Sequence, residues 1–126
     1  MSFENLEVRR TTINGEDWSL TPFNTGMGLS YLRKIFKLCG GSVASLITTI
    51  SEDDGLSRAI NTLVDNIDKE DVILLIKDLV SVAKCNNQKV DFDTYYAARY
   101  DTLLAVVTFV VTENYKSVFP KGAIKE

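Results

Sequence analysis

The spacing of the hydrophobic positions changes after the first 25 residues of the chain. Residues 6–21 are rich in residues that favour strands, and Asn14-Gly15 interrupts them. Asn-Gly is a strong two-residue turn signal because both turn positions adopt positive φ. The pattern therefore predicts a β-hairpin over 6–21.

The apolar pattern of the two strands conflicts with the register that a two-residue loop would give this hairpin. A two-residue loop would pair Thr11 with Trp18. That register would place Leu6 and Val8 on the opposite face from Trp18 and Leu20. We therefore expect a longer loop or a β-bulge to shift the register. An isolated hairpin is only marginally stable in water, so we expect this one to pack on the helices or on a partner.

After a loop predicted over 24–28, apolar residues recur at helical spacing and predict three amphipathic helices. The first stripe, ended by Gly40-Gly41, contains Leu29, Leu32, Ile35, Phe36 and Cys39. The second contains Leu56, Ile60, Leu63, Val64 and Ile67. The third, ended by 85–88, contains Val72, Leu75, Ile76, Leu79, Val80 and Ala83. The short apolar run over 43–50 is interpreted as a helix.

Acidic residues precede two of these helices. Ser51 and Asp54 have the spacing of a capping box, with Asp in place of the usual Glu. Asp68 and Asp71 are expected to cap the next helix in the same way. Negative charge is favoured at a helix N-terminus, so capping explains these carboxylates without a catalytic role.

The last segment predicts one long helix over 94–119. It contains no Gly or Pro, and its apolar and aromatic positions recur near 3.6 residues: Tyr96, Tyr100, Leu103, Leu104, Val107, Val110, Val111, Asn114 and Tyr115. Val106 and Phe109 extend the apolar surface around the helix. Such a helix is either the centre of the core or part of an interface, and the pattern leaves both open.

Taken together, the elements predict a mainly α fold with an N-terminal β-hairpin, of the α+β class, with about four to five helices. We expect a single domain over 1–126, with the hairpin at 6–21, a helical core at 27–119 and a frayed tail at 120–126.

Composition narrows the function. The chain has 126 residues, no His and a net charge of −3 from 14 basic and 17 acidic residues. Without His there is no Ser-His-Asp triad, Cys-His dyad or His-ligated metal. The acidic balance argues against a nucleic-acid surface. We therefore expect a protein that is not an enzyme, with no cofactor, no metal and no nucleic-acid partner.

Three further features bear on the compartment. The uncharged stretch over 38–51 is shorter than the about 20 apolar residues that a membrane span needs. Cys39 and Cys85 are isolated, so buried free thiols are expected rather than a disulfide framework. The N-terminus lacks the basic and apolar regions of a signal peptide. These features favour a cytoplasmic protein without membrane attachment.

Two weak motifs have simpler explanations. Gly26-x-Gly28 resembles part of a phosphate loop, but Tyr31 stands where the third glycine of a dinucleotide fingerprint is needed. Asp91 and Asp93 suggest a calcium loop, which lacks its glycine and its final acidic residue. The start of a helix explains the two glycines, and a helix cap explains the two aspartates.

Acidic, aromatic and polar residues form a recognisable pattern within 91–119, which we call the 91–119 motif: Asp91, Phe92, Asp93, Tyr96, Arg99, Tyr100, Asn114, Tyr115 and Phe119. This motif resembles the C-terminal region of the tail assembly chaperones of long-tailed bacteriophages. In that family an Asp-Phe-Asp-like start is followed by an aromatic residue and an Arg. A long apolar helix comes next and ends in the pattern Asn-aromatic-x-x-aromatic-Phe. Val118 departs from the aromatic residue often found there. The order of the other elements is also similar, and the clear resemblance covers 51–119.

The resemblance implies a chaperone made in the cytoplasm of the infected host cell. It would bind the tape measure protein, help to recruit major tail tube subunits, self-associate, and be absent from the mature virion. The alternatives are a structural tail completion or connector protein, and a small bacterial adaptor domain.

Side-chain type suggests which residues of this region bind a partner. Phe92, Tyr96 and Tyr115 are expected in the core. The partner-binding candidates are Tyr95, Arg99, Phe109 and Phe119, because aromatic residues and Arg are the usual interface anchors.

Overall fold

The computed structural model describes residues 7–38 and 55–118. In this part of the chain it contains an antiparallel sheet and five helices. The strands are β1 (Arg9–Ile13), β2 (Glu16–Leu20), β3 (Ala83–Cys85) and β4 (Gln88–Lys89). The helices are α1 (Thr25–Leu38), α2 (Gly55–Asp65), α3 (Glu70–Val80), α4 (Phe92–Tyr95) and α5 (Tyr100–Tyr115).

The N-terminal hairpin is confirmed, and the α+β class with it. Asn14 and Gly15 have φ of 50° and 79°, which is the positive-φ pair of a type I′ turn. The expected register shift is wrong, because Thr11 pairs with Trp18 across a two-residue loop. The core face of the hairpin is supplied mainly by Trp18 and Leu20, whose exposed fractions are 0% and 1%. Val8 is left 50% exposed on the other face.

A second hairpin interrupts the region that we predicted as wholly helical. β3 pairs with β2, and β4 pairs with β3, so the sheet order is β1-β2-β3-β4. Asn86 and Asn87, with φ of 51° and 66°, form its turn. The predicted helix end at 85–88 is therefore wrong, since α3 ends at Val80 and Ala83 is buried in a strand. A strand of three residues is too short to show alternation, and Ala83 continues the helical spacing by coincidence.

The start of α1 also differs from expectation. The predicted loop over 24–28 is wrong, because the helix begins at Thr25. Asn24 supplies the cap, with its Oδ1 accepting a hydrogen bond of 2.9 Å from the backbone N–H of Met27. Ile35 and Phe36 are buried as expected, whereas Leu29 is 61% exposed.

The stripe of α3 is confirmed except at its end, and that of α2 only in part. In α2, Leu56 and Leu63 are buried and Ile60 and Val64 are half-buried, whereas Ile67 is exposed and lies beyond the helix end at Asp65. In α3 they are Val72, Leu75, Ile76, Leu79 and Val80. The capping box at Asp68 is wrong, because Lys69 holds the N-cap position without a side-chain hydrogen bond. Glu70 and Asp71 lie in the first turn, where negative charge favours the helix dipole.

The long helix predicted over 94–119 is wrong, because the chain breaks between α4 and α5. Ala98 has a φ of 58°, in the left-handed region that rarely holds a residue with a side chain. Neither Gly nor Pro marks the break. The contacts of Tyr95 and Tyr96 with the sheet hold α4 in its own direction, as described below, so tertiary packing overrides the helical pattern here.

α5 is the central helix of the part that the structure describes. It packs against α2, α3 and β1. Its buried residues lie on several sides: Thr102, Leu103, Val106, Val107, Val110, Val111, Thr112 and Tyr115. Of the two expectations for this helix, the structure supports the core.

Several predictions fall outside the described residues: the helix over 43–50, the capping box at 51–54, the Gly40-Gly41 stop, Cys39, Phe119 and the tail over 120–126. Within the described ranges, no helix has the length and apolar character needed to cross a membrane.

Candidate interaction site

The 91–119 motif begins with a helix cap. The Oδ2 atom of Asp91 accepts hydrogen bonds from the backbone N–H of Thr94, at 3.1 Å, and from its Oγ1, at 2.8 Å. Asp91 thereby starts α4, which agrees with the capping interpretation. Among the described residues, no group of three or more His, Cys, Asp or Glu side chains is placed to hold a metal ion.

An aromatic cluster anchors α4 to the sheet. The ring of Tyr96 stacks on Trp18 with 6.2 Å between centroids, and Phe92 meets Tyr96 edge-on at 5.8 Å. Tyr96 is 3% exposed, so the expectation that it belongs to the core is confirmed. Burial raises the pKa of Tyr96 well above its usual value, with the Cys85 thiol adding a smaller contribution. Its hydroxyl has no hydrogen-bond partner.

Tyr95 and Arg99, two of the partner-binding candidates, lie together around one carboxylate. The Tyr95 hydroxyl donates a hydrogen bond of 2.7 Å to Oε1 of Glu16 in β2. The Arg99 guanidinium lies 3.9 Å from the other oxygen of Glu16 and 4.8 Å from the centroid of the Tyr95 ring. Burial, and next the hydrogen bond to Glu16, raise the pKa of Tyr95. These contacts hold the α4–α5 break against the N-terminal hairpin.

Cys85 completes this polar cluster on its inner side. It is a buried free thiol, as expected, and its Sγ lies 3.6 Å from the Tyr95 hydroxyl oxygen.

The other end of the motif ties α5 to the first turn of α1 and to the chain just before it. Oδ1 of Asn114 accepts a hydrogen bond of 2.8 Å from the backbone N–H of Phe23. The Tyr115 hydroxyl donates a hydrogen bond of 2.8 Å to the carbonyl oxygen of Gly28. Tyr115 is 4% exposed, which confirms its expected place in the core, and burial raises its pKa. Asn114 and Tyr115 therefore have a clear structural role.

Phe109 is not part of the Tyr95 cluster. It is half-buried and lines a separate shallow groove between β1 and α5, with Thr11 and Ile13 among its neighbours there. Phe109 also packs against the core, so substitutions there affect the fold as well as the surface. Its role in partner binding stays a prediction, as do those of Tyr95 and Arg99.

The sequence did not indicate an apolar groove that the described structure contains. We call it the α3–α5 groove. It lies between α3, α4 and the first turn of α5, with a volume of about 280 Å³. Its lining residues are Ile67, Ile73, Ile76, Phe92, Asp93, Tyr96, Ala97, Tyr100 and Leu103. Four residues of the 91–119 motif are among them.

The rims of this groove are apolar side chains that remain exposed. Ile67 is 39% exposed, Ile73 is 42% exposed and Tyr100 is 67% exposed. A signal for it existed in the sequence, since Ile73 is an apolar residue that lies outside the predicted buried stripe of α3. Tyr100 was counted in the helical stripe and in the 91–119 motif, without a place at a groove.

Comparison with known families identifies the family of the chain. The family model described as phage tail assembly chaperone protein, TAC, matches residues 14–125. The chain belongs to this family, which confirms the resemblance drawn from the 91–119 motif and extends it into the N-terminal hairpin. No curated protein and no solved structure gives a significant match to the chain.

Proposed function

We propose that this protein acts during phage tail assembly by binding the tape measure protein and helping to recruit tail tube subunits. In this proposal it works in the cytoplasm of the infected cell, has no enzymatic activity and is absent from the mature virion. The observation that carries the proposal is the family match over 14–125.

The site chemistry is compatible with this role. A chaperone for a long helical protein needs apolar surface that it can offer reversibly, as in the recognition of a helix by a groove. The α3–α5 groove presents such surface between two helices. The full sequence also contains no His, which removes the commonest general base of enzymes.

Co-expression tests the proposal directly. The untagged chain is expressed with a tagged tape measure protein from the same phage, and the complex is purified on the tag. We expect near-stoichiometric recovery of the chain and a soluble tape measure protein. A tape measure protein that aggregates equally with and without the chain, with nothing recovered on the tag, contradicts the proposal.

Virion content provides the second measurement. Mass spectrometry of purified particles should detect the tail tube protein and the tape measure protein but not this chain. Stoichiometric detection of the chain in particles would contradict the chaperone role.

A further inference from the structure

Exposed apolar side chains of the described structure are concentrated at the α3–α5 groove. Within 7–38 and 55–118, seven large apolar residues are exposed: Val8, Met27, Leu29, Ile67, Ile73, Leu74 and Tyr100. Three of these seven line the one groove. Contiguous exposed apolar surface marks interaction sites more often than scattered residues do.

The charge of this groove is unbalanced. Asp93 is the only charged residue in its lining, and no ion pair joins Asp93 to another residue within 7–38 or 55–118. Arg99 is close in sequence, but its guanidinium is directed to Glu16 and to the Tyr95 ring.

Three further grooves of the described structure differ in this respect, because each has charges of both signs in its lining. The groove between α1 and α3 is lined by Lys34, Lys37, Asp71 and Asp78. The groove near the end of α5 is lined by Arg9, Glu113 and Lys116. The groove between β1 and α5 is lined by Arg10 and Glu113. In the second of these, Glu113 pairs with both Arg9 and Lys116. The α3–α5 groove alone among these four offers a carboxylate without an opposite charge in its lining.

We propose that the α3–α5 groove binds an amphipathic helix of the partner, with a Lys or Arg beside the apolar stripe that pairs with Asp93. The inference rests on the proposed function, since it identifies the groove as the place where a helical segment of the tape measure protein binds. The side-chain rows of a third helix fit between two helices, and Ile73 and Tyr100 would flank the inserted residues. A cation next to Asp93 compensates the carboxylate when the occupant excludes water.

The test measures the affinity of the full chain for the tape measure protein and for overlapping synthetic peptides that span it. Ile73→Asp places a charge on the rim and should weaken binding by at least about tenfold, as expected for an anchor residue. Leu74→Asp is the matched control. Leu74 is the next residue of α3 and is 55% exposed, but it lines the groove between α1 and α3 instead. Its affinity should stay within about twofold of the unsubstituted chain.

Charge reversal tests the second half of the inference. Asp93→Lys should reduce the affinity by at least about tenfold, with Asp93→Asn intermediate. In the peptide that binds, replacing the basic residue beside its apolar stripe by Glu should restore affinity for the Asp93→Lys chain. Circular dichroism and thermal unfolding verify that each variant is folded.

The outcomes separate this inference from the proposed function. If the unsubstituted chain binds the tape measure protein and Ile73→Asp binds equally well, the groove is wrong and the function stands. Equal losses for Ile73→Asp and Leu74→Asp also overturn the groove. If the charge variants bind normally while Ile73→Asp does not, the basic flank is wrong. If the unsubstituted chain binds neither the protein nor its peptides, the proposed function fails and the inference falls with it.

Discussion

The two ends of the 91–119 motif are built differently around α5. At the C-terminal end, the buried Tyr115 and the partly buried Asn114 are hydrogen-bonded to the first turn of α1 and to the chain just before it. At the N-terminal end, Asp93 and Tyr100 border an open apolar groove. Residues of one sequence motif therefore serve two purposes: some fix the tertiary structure, and others leave surface available to a partner. The type of side chain does not distinguish the buried positions of the motif from the exposed ones, because both ends contain tyrosine.

The largest expected effect comes from truncating a tyrosine at the enclosed end. Tyr115→Ala removes a side chain that is 4% exposed and its hydrogen bond to Gly28. We expect a loss of about 3–5 kcal/mol in the free energy of unfolding, by analogy with other buried aromatic residues. Tyr100→Ala is the control, since Tyr100 is 67% exposed and should change stability by less than about 0.5 kcal/mol. Urea unfolding of both variants measures the difference, and similar losses would remove the distinction between the two ends.

A smaller loss is expected from the hydrogen bond at the same end. Asn114→Ala leaves the backbone N–H of Phe23 without its acceptor in a partly buried place. Leaving such a donor unsatisfied costs about 1–3 kcal/mol. Thr108→Ala is the matched control on α5, because Thr108 is exposed and bonds only within its own helix. If Asn114→Ala unfolds at the same urea concentration as the unsubstituted chain, Asn114 does not hold α5 to α1.

The sequence was informative where one local pattern decided the structure. Asn14-Gly15 gave the first turn correctly, and the stripe of α3 gave five buried positions. The predicted shift of the register was wrong because we assumed that the apolar Val8 would face the core. The fold instead buries Trp18 and Leu20 of β2 and leaves Val8 half exposed.

The errors arose where contacts distant in sequence decided the structure. The break at Ala98 depends on Tyr95 reaching Glu16 in the hairpin, which no local spacing shows. The β3–β4 hairpin exists because β3 adds to β2, more than 60 residues earlier in the chain. The α3–α5 groove was missed for the same reason, because its lining combines residues of 67–76 with residues of 92–103, which only the tertiary packing brings together.

Alkaline pH should reveal the enclosed tyrosines as a group. The pKa values of Tyr95, Tyr96 and Tyr115 are raised in the folded protein, chiefly by burial. In the unfolded chain a tyrosine ionises near pH 10, whereas in the folded chain these remain protonated to higher pH. Their contribution to stability is therefore complete below about pH 10 and is lost as the pH rises above it.

This loss can be assigned to single residues. Each tyrosine that is protonated only in the folded state contributes a slope of about 1.4 kcal/mol per pH unit. Tyr96→Phe should therefore reduce the fall of stability above pH 10 by about that amount. Urea unfolding between pH 9 and 11 measures the slopes, and an unchanged slope for Tyr96→Phe contradicts the assignment.

The smallest effect distinguishes two neighbouring tyrosines at the groove end. The Tyr95 hydroxyl donates to Glu16, whereas the buried Tyr96 hydroxyl has no partner. Tyr95→Phe removes a hydrogen bond to a carboxylate, and we expect a loss of about 1–2 kcal/mol at pH 7. Tyr96→Phe removes only an unsatisfied polar atom, so at pH 7 it should leave stability unchanged within about 0.5 kcal/mol or increase it slightly. Thermal unfolding of the two variants at pH 7 measures the contrast. If both lose the same free energy, the Tyr95 hydroxyl has no special part in holding the break before α5 against the hairpin.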